Sequence, residues 1–321
     1  MNTRKYKALL AQLRDSGEIP EELFDKISGE IEKRGKMTKS IYRMFLRELE
    51  VRRLFNVETV PYDTKNSAKT DGTFKYRHPH NPLRAVFHAI IGGGFKLVCY
   101  PAAAIGFGVW RIKDRKKLKG IKACVTLSNH VGFLDSILTR RALGFKKAYA
   151  IVAPFNCKNN VGGWMLNVGG CVPLPSTFRG TKPFTEMLEY AKKKNSAIHF
   201  YAEQSMWIRY DKPRPYKDGA FFYADKLDLP TVPMFYCFAE PRGLRRLLHM
   251  PKVAVKIGEP IYPDRTLPAN RRIADLRDRA MSETQKLYEE FFGKPLVYIT
   301  DENACGNAET GDNNGKNNSD R

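Results

Sequence analysis

The stretch IKACVTLSNHVGFLDSILTRRAL, Ile121–Leu143, decides how the rest of the chain is read. It opens with an apolar, β-branched run, KACVTL, which has the composition of a buried strand. The polar triplet SNH follows, and LDSILTRRAL then takes up helical spacing, with a start expected near Phe133. A strand, a polar turn and a helix in that order form the opening of a βαβ unit. The turn holds Asn129 and His130, and Asp135 lies five positions after the histidine, in the first turn of the expected helix. From there the carboxylate can turn back to the ring, fix its tautomer through Nδ1 and leave Nε2 as a base. Equally, Asn129 or Asp135 can take backbone N–H groups as helix-start residues ordinarily do. The spacing alone leaves both readings open.

The alternation continues downstream. KAYAIVAPF precedes VGGWMLNVG, CVPLP precedes PFTEMLEYAKKK, and AIHFYAE precedes GAFFYADKL. TVPMFYCFA and KVAVKIGEPI then follow, and an amphipathic helix over Asn270–Phe292 closes the pattern. Short β-rich runs alternating with helices predict an α/β domain with a mixed, largely parallel sheet flanked by helices, over residues 121–298.

Upstream, LLAQL, PEELFDKISGEIEKRG and SIYRMFLRELEVRRLF carry apolar residues three and four apart, predicting a helical region over residues 1–60. Residues 61–84 are polar, with Pro, Gly and Asn, and read as a linker. Its HPHNP (His78, Pro79, His80) lacks carboxylate or Cys support and reads as solvated rather than metal-binding. Ala85–Trp110 is 26 residues long with one Lys and one His, long enough for a span of about 20 residues. Gly92–Gly94, Pro101 and Lys96 interrupt it, and both flanks are basic, so both ends favour the same side. This predicts a bent, amphiphilic helix pair within residues 85–120 that lies on or dips into one leaflet from the cytoplasmic face, monotopic or peripheral. Residues 299–321 are rich in Asn, Asp and Gly and read as a disordered tail.

The formal net charge of +21 implies an anionic partner. Nucleic acid is disfavoured, because the basic residues are not gathered in one arm among exposed aromatics and no nucleic-acid motif is present. Anionic membrane lipid or a phosphate-bearing substrate fits better. Six scattered cysteines without C-x-x-C predict reduced thiols and no metal site. His199, inside an apolar run, reads as a satisfied buried histidine.

Four blocks gather the polar residues of the α/β region: NHVGFLD (Asn129–Asp135), GGCVPLPSTFR (Gly169–Arg179), FYAEQSMW (Phe200–Trp207) and TVPMF (Thr231–Phe235). In this order they resemble the glycerolipid acyltransferase family, typified by 1-acylglycerol-3-phosphate acyltransferases. That family has an N-H-x-x-x-x-D block, a Gly-led block ending in a basic residue, an F-P-E-G-T-R-S block and a V-P block. The resemblance covers roughly residues 85–265 and implies a glycerol-3-phosphate acyltransferase-like α/β fold. It further implies an acyltransferase acting in phospholipid biosynthesis, moving a fatty acyl group from acyl-CoA or acyl carrier protein to a hydroxyl of a lysophospholipid or other glycerolipid acceptor. No cofactor is implied beyond that thioester co-substrate. By the resemblance His130 is the general base and Asp135 its orienting partner, while Asn129, Gly170, Arg179 and Glu203 belong to substrate binding.

The third block departs from the family pattern. Gln204 and Met206 stand where glycine and arginine are usual. That arginine is thought to hold the acceptor phosphate, so Arg209 or Arg179 is the expected replacement. The loop IRYDKPRPYKDGA, with Arg209, Lys212, Arg214 and Lys217, reads as a rigid positive segment suited to phosphate. The departures keep a second reading open, a lipid-binding relative that has lost turnover.

Overall fold

The computed structural model describes residues 1–76, 86, 90, 93–94, 97–98, 100–144, 146–158 and 160–300. The expected tail beyond residue 300, His78, His80, Cys99 and most of the first half of the 85–110 segment lie outside the described residues. The chain forms two compact units, Tyr62–Lys294 and a smaller one built from Met1–Pro61 with the residues from Pro295 onward.

The smaller unit contains helices α1 (Thr3–Asp15), α2 (Glu21–Arg34) and α3 (Lys39–Val51). Each helix buries one apolar stripe, including Leu10 and Leu13, Leu23, Ile27 and Ile31, and Ile41, Phe45 and Leu49. The helix starts are set by side-chain caps at Asn2 and Thr38, and α2 ends at Gly35 in a left-handed conformation.

In the larger unit, strands β1 (Cys124–Ser128), β2 (Ala148–Val152), β3 (Cys171–Pro173), β4 (Ala197–Phe200), β5 (Thr231–Ala239) and β6 (Lys252–Ile257) make one sheet. The strand order is β3-β2-β4-β1-β5-β6, parallel throughout except for the antiparallel β5–β6 pair. The helices are α4 (Asp135–Leu143), α5 (Val161–Val168), α6 (Thr181–Lys193), α7 (Gly219–Lys226), the short α8 (Leu244–Leu247) and α9 (Ala269–Phe292). Strands β1 and β4 are buried at every position because helices cover both faces, whereas the edge strand β6 alternates buried and partly exposed residues.

One face of the sheet packs Val125, Leu127, Ile198 and Phe200 against Phe184, Met187 and Leu188 of α6, Phe221 and Ala224 of α7, and Leu276 and Ala280 of α9. The other face packs Cys124, Ala197, Val232, Met234 and Tyr236 against Leu138 and Ala142 of α4 and against Ala103, Val109 and Ile112. Each large apolar side chain so buried contributes about 1.5–3 kcal/mol. The mixed, largely parallel sheet flanked by helices is the architecture the alternating runs predict.

The strand order also fixes where a site forms. The connection leaving β1 runs through α4 to β2 on one side, and the connection leaving β4 runs through α7 to β5 on the other. Adjacent strands whose connections part in this way leave a crevice beyond their C-terminal ends, where ligands bind in open α/β sheets. His130 follows β1 and Glu203 follows β4.

Helix α4 begins at Asp135, not near Phe133. Phe133 and Leu134 form a turn instead, because the Asp135 side chain is drawn back onto the preceding loop. The segment after Pro101 forms a π-helix over Ala102–Gly106, and a 3-10 helix spans Lys113–Leu118. Among the described residues no helix is long and apolar enough to cross a membrane.

Candidate active site

The parallel register of β1 and β4 pairs Cys124 with Ala197 through Leu127 with Phe200. Carried three residues past the strands, that offset places His130 opposite Glu203. The backbone N–H of His130 donates to Glu203 Oε2 at 3.2 Å. Alternation along β1 sends Thr126 and Ser128 toward α4, the helix that carries Asp135 at its start.

His130 Nδ1 lies 2.8 Å from Asp135 Oδ2. The same oxygen accepts the N–H groups of Val131 at 2.8 Å and Gly132 at 3.0 Å. The carboxylate is 4% exposed in its side chain and the imidazole 20%. Asp135 is therefore a fixed acceptor, oriented by two backbone donors, and the ring that bonds to it presents Nε2 outward. Among the described residues no group hydrogen-bonds Nε2. The imidazole stacks on Tyr201, with ring centroids 4.1 Å apart and planes inclined by 22°. Burial pushes the Tyr201 hydroxyl well above its usual range, so this ring stays neutral. The two readings of Asp135 turn out to be one arrangement, since the carboxylate takes backbone N–H groups and the histidine together.

Behind this pair lies a buried polar network. His199 is fully buried, with Nδ1 3.1 Å from Thr126 Oγ1 and Nε2 3.3 Å from both Ser128 Oγ and Thr139 Oγ1. Thr139 also bonds to the Tyr236 hydroxyl at 2.6 Å. Burial, reinforced by the charge environment of His130 and Arg140, lowers the His199 pKa to about 3. It is a neutral, satisfied core histidine, as its apolar surroundings predict.

Asn129 is fully buried and ties β1 to β5. Its Nδ2 donates to the carbonyl of Tyr236 at 3.1 Å, and its Oδ1 accepts the N–H of Tyr236 at 2.8 Å. Its amide is spent on backbone and fixes the strand end from which His130 projects. Gly170 has φ +92°, and a Cβ there would sit 2.8 Å from the carbonyl oxygen of Ala148. Only glycine permits that close approach of β3 to β2.

Glu203 is 2% exposed. Its carboxylate accepts the His130 N–H, the Arg214 N–H at 2.8 Å, and Arg214 Nε and Nη2 at 3.1 and 2.8 Å. Arg214 is fully buried, donates through Nη1 to Ser205 Oγ at 2.7 Å and through Nη2 to the Ser205 carbonyl, and lies 4.7 Å above the Trp207 ring. Of the segment 208–220, expected to be a rigid positive loop suited to phosphate, Arg214 is therefore turned inward. Arg214 turns inward because the buried Glu203 needs a charged partner. In the sequence Arg214 is set between Pro213 and Pro215, eleven positions after Glu203, but nothing there names that residue as its partner.

The third block is folded onto the first. Trp207 N–H donates to the His130 carbonyl at 3.0 Å and Arg209 N–H to the Val131 carbonyl at 2.9 Å. Gln204 has φ +67°, the left-handed conformation for which glycine is the usual choice. Met206 is 2% exposed and packs inward. Arg179 and Arg209 are exposed, and among the described residues neither guanidinium forms a hydrogen bond or ion pair. The structure thus joins Asn129, His130, Asp135, Glu203 and the backbone of Arg209. Gly170 immediately precedes the edge strand β3, two strands out from β4, and Arg179 lies in the 3-10 turn Phe178–Gly180 that precedes α6.

These residues all fall within 110–237, the stretch that matches the Acyltransferase family model. Over residues 110–237 the chain is similar to the acyltransferase family. A 1-acyl-sn-glycerol-3-phosphate acyltransferase, chloroplastic, from Brassica napus is 32% identical to the chain over 152 residues, which cover 43% of this chain and 41% of that protein. The chain thus spans about two fifths of the length of that relative. The crystal structure of the 1-acyl-sn-glycerophosphate (LPA) acyltransferase PlsC from Thermotoga maritima aligns with a TM-score of 0.47 at 15% identity, covering 66% of this chain and 84% of that one. The four blocks lie at the ends of β1, β3 and β4 and along β5.

Proposed function

We propose that this protein is an O-acyltransferase that uses His130 as its general base, with Asp135 as orienting partner. The observation that carries the reading is the 2.8 Å His130 Nδ1–Asp135 contact at the sheet's switch point, with Nε2 left open. Nε2 takes the proton from an acceptor hydroxyl as its oxygen attacks the carbonyl of an acyl thioester. The tetrahedral intermediate expels the thiolate, which receives the proton from the imidazolium. A new C–O ester bond replaces the C–S bond, and the step calls on no further cofactor. The donor is acyl-CoA or acyl carrier protein, and the acceptor is a lysophospholipid or another glycerolipid.

The name of the Brassica relative supports 1-acylglycerol-3-phosphate as the first acceptor to test, and the exposed Arg179 and Arg209 are the available cations for its phosphate. Asn129 and Glu203 serve by positioning: one pins β1, the other braces the His130 backbone. The net charge and the amphiphilic segment support a site at the surface of an anionic membrane, with the protein peripheral or monotopic.

The test is transfer from labelled acyl-CoA and acyl carrier protein to a panel of lysophospholipids and glycerolipids, comparing the native chain with His130→Ala. Loss of turnover by at least about 10²-fold is expected, the contribution of a positioned base. Undiminished turnover by the variant refutes the mechanism. The buried Met206 at the usual arginine position favours a second reading, a lipid-binding relative without turnover. Stoichiometric lysolipid binding with no transfer to any acceptor establishes that reading instead.

A further inference from the structure

We propose that the turn between β5 and β6, residues 242–250, is a second lipid-inserting element, clamped to the apolar segment that follows Pro101. Its sequence, RGLRRLLHM, gives no sign of this by length, since α8 is a single turn. Leu244, Leu247 and Leu248 are 67%, 73% and 56% exposed. Positions i, i+3 and i+4 share one helix face, so the three leucines form one apolar cap. Single exposed leucines are ordinary on a protein surface, but three grouped within one short turn mark a contact site.

The clamp is Arg245. Its guanidinium donates to the carbonyls of Ile105 at 2.8 Å, Gly106 at 2.9 Å and Pro251 at 2.6 Å. The first two belong to the end of the π-helix, where carbonyls have no partner within the helix. Gly108 makes room for the guanidinium. It has φ +72°, and a Cβ there would meet the Arg245 side chain at 3.2 Å. Across the clamp, Ile105 is 58% and Trp110 65% exposed. Two segments more than a hundred residues apart thus present their apolar side chains as one fixed patch.

The occupant follows from charge. Arg111, Lys113, Arg242 and Arg246 are exposed around the leucines, Ile105 and Trp110. Leucines flanked by arginines, with a tryptophan at the margin, suit the boundary between headgroups and acyl chains of an anionic leaflet. The proposal rests on the membrane-bound reading of the 85–110 segment and adds a second, independently substitutable contact.

The test uses the full chain and vesicles of 70% phosphatidylcholine and 30% phosphatidylglycerol, read by co-sedimentation. The triple variant Leu244→Ser/Leu247→Ser/Leu248→Ser is expected to partition at least about tenfold more weakly, the loss of a modest share of three leucines' transfer energy. Its thermal melt is expected to match the native one, since the leucines are solvent-facing. A second variant, Leu247→Trp in a Trp110→Phe background, is expected to shift its emission to the blue on vesicle addition and to be quenched by brominated lipid. Native binding that the triple variant retains in full, with no quenching at position 247, overturns this proposal alone. Failure of the native protein to bind vesicles overturns the membrane reading and this proposal with it. Binding unchanged, but a native dimer that the serines dissociate, assigns the patch to a second copy of the chain and also overturns it.

Discussion

Replacing Arg214 with methionine tests whether the arginine of this site is structural or ligand-facing. The substitution keeps volume and an apolar contact over Trp207, but removes the guanidinium. Glu203 then loses the Nε and Nη2 donors and keeps the N–H groups of His130 and residue 214, while Ser205 loses a partner on both its hydroxyl and its carbonyl. Both partners are 1% exposed in their side chains, so solvent does not replace what is lost. Breaking a buried pair from one side costs about 3–5 kcal/mol. Adding Glu203→Gln removes the stranded charge, and the double variant is expected to recover a substantial part of that loss. Urea unfolding followed by tryptophan fluorescence is the assay, because Trp110, Trp164 and Trp207 all belong to the larger unit. A loss within the roughly 0.5 kcal/mol of an ordinary surface change, accompanied by a raised KM for a phosphate-bearing acceptor, would refute the reasoning. It would make Arg214 a substrate ligand.

Three further outcomes are expected. Asp135→Asn keeps the side chain's shape but not its charge or its acceptor-only character, so kcat is expected to fall by about 10²–10⁴-fold with KM nearly unchanged in steady-state kinetics. His199 titrates near 3 when folded, against 6.5 as the ordinary value. Between those two values the unfolded chain binds the extra proton, so stability is complete above pH 6.5 and is lost as pH falls toward 3, at no more than about 1.4 kcal/mol per pH unit. His199→Asn is expected to flatten that slope in urea titrations from pH 7 to 4, and an unchanged slope would show that His199 does not supply it. Gln204→Gly is expected to raise the unfolding midpoint by up to about 1 kcal/mol of stability, because φ +67° is strained for glutamine and free for glycine. A lowered midpoint would show that the glutamine side chain compensates the strain.

The sheet was legible because its inner strands are buried along most of their length. Runs such as KACVTL and TVPMFYCFA carry no alternation, which marks strands covered on both faces. The pairing of those strands was not legible, since any parallel neighbour satisfies the same apolar run. Yet the pairing matters most, because the register of β1 with β4 brings His130 beside Glu203. His130 and Asp135 could be singled out because they are close in sequence. Arg214 could not be assigned inward, because an arginine among Asp, Lys and Pro looks solvated until its partner is placed. The Leu244–Leu248 cap was overlooked because a one-turn helix shows no period.

The altered third block therefore separates two roles that a shared motif would merge. Its carboxylate, Glu203, does not depend on Gln204 or Met206: it is held by Arg214 and braces the His130 backbone from within. The contact between His130 and Asp135, the proposed base and its partner, involves neither Gln204 nor Met206. What moves is the cation. Met206 is packed inward and Arg214 is committed to Glu203, so a cation for an acceptor phosphate has to come from outside positions 203–207. Arg209 is the nearest in sequence, and its backbone N–H is fixed to Val131, one residue from the proposed base. Arg209 lies further along the segment that follows β4, where that segment is hydrogen-bonded to the loop after β1. Arg209→Ala is accordingly expected to raise KM for a phosphate-bearing acceptor by about tenfold or more, the loss of one charge-assisted contact. The same variant should leave KM unchanged for a neutral glycerolipid. Equal effects on both acceptors would place the phosphate elsewhere, with Arg179 the next residue to substitute.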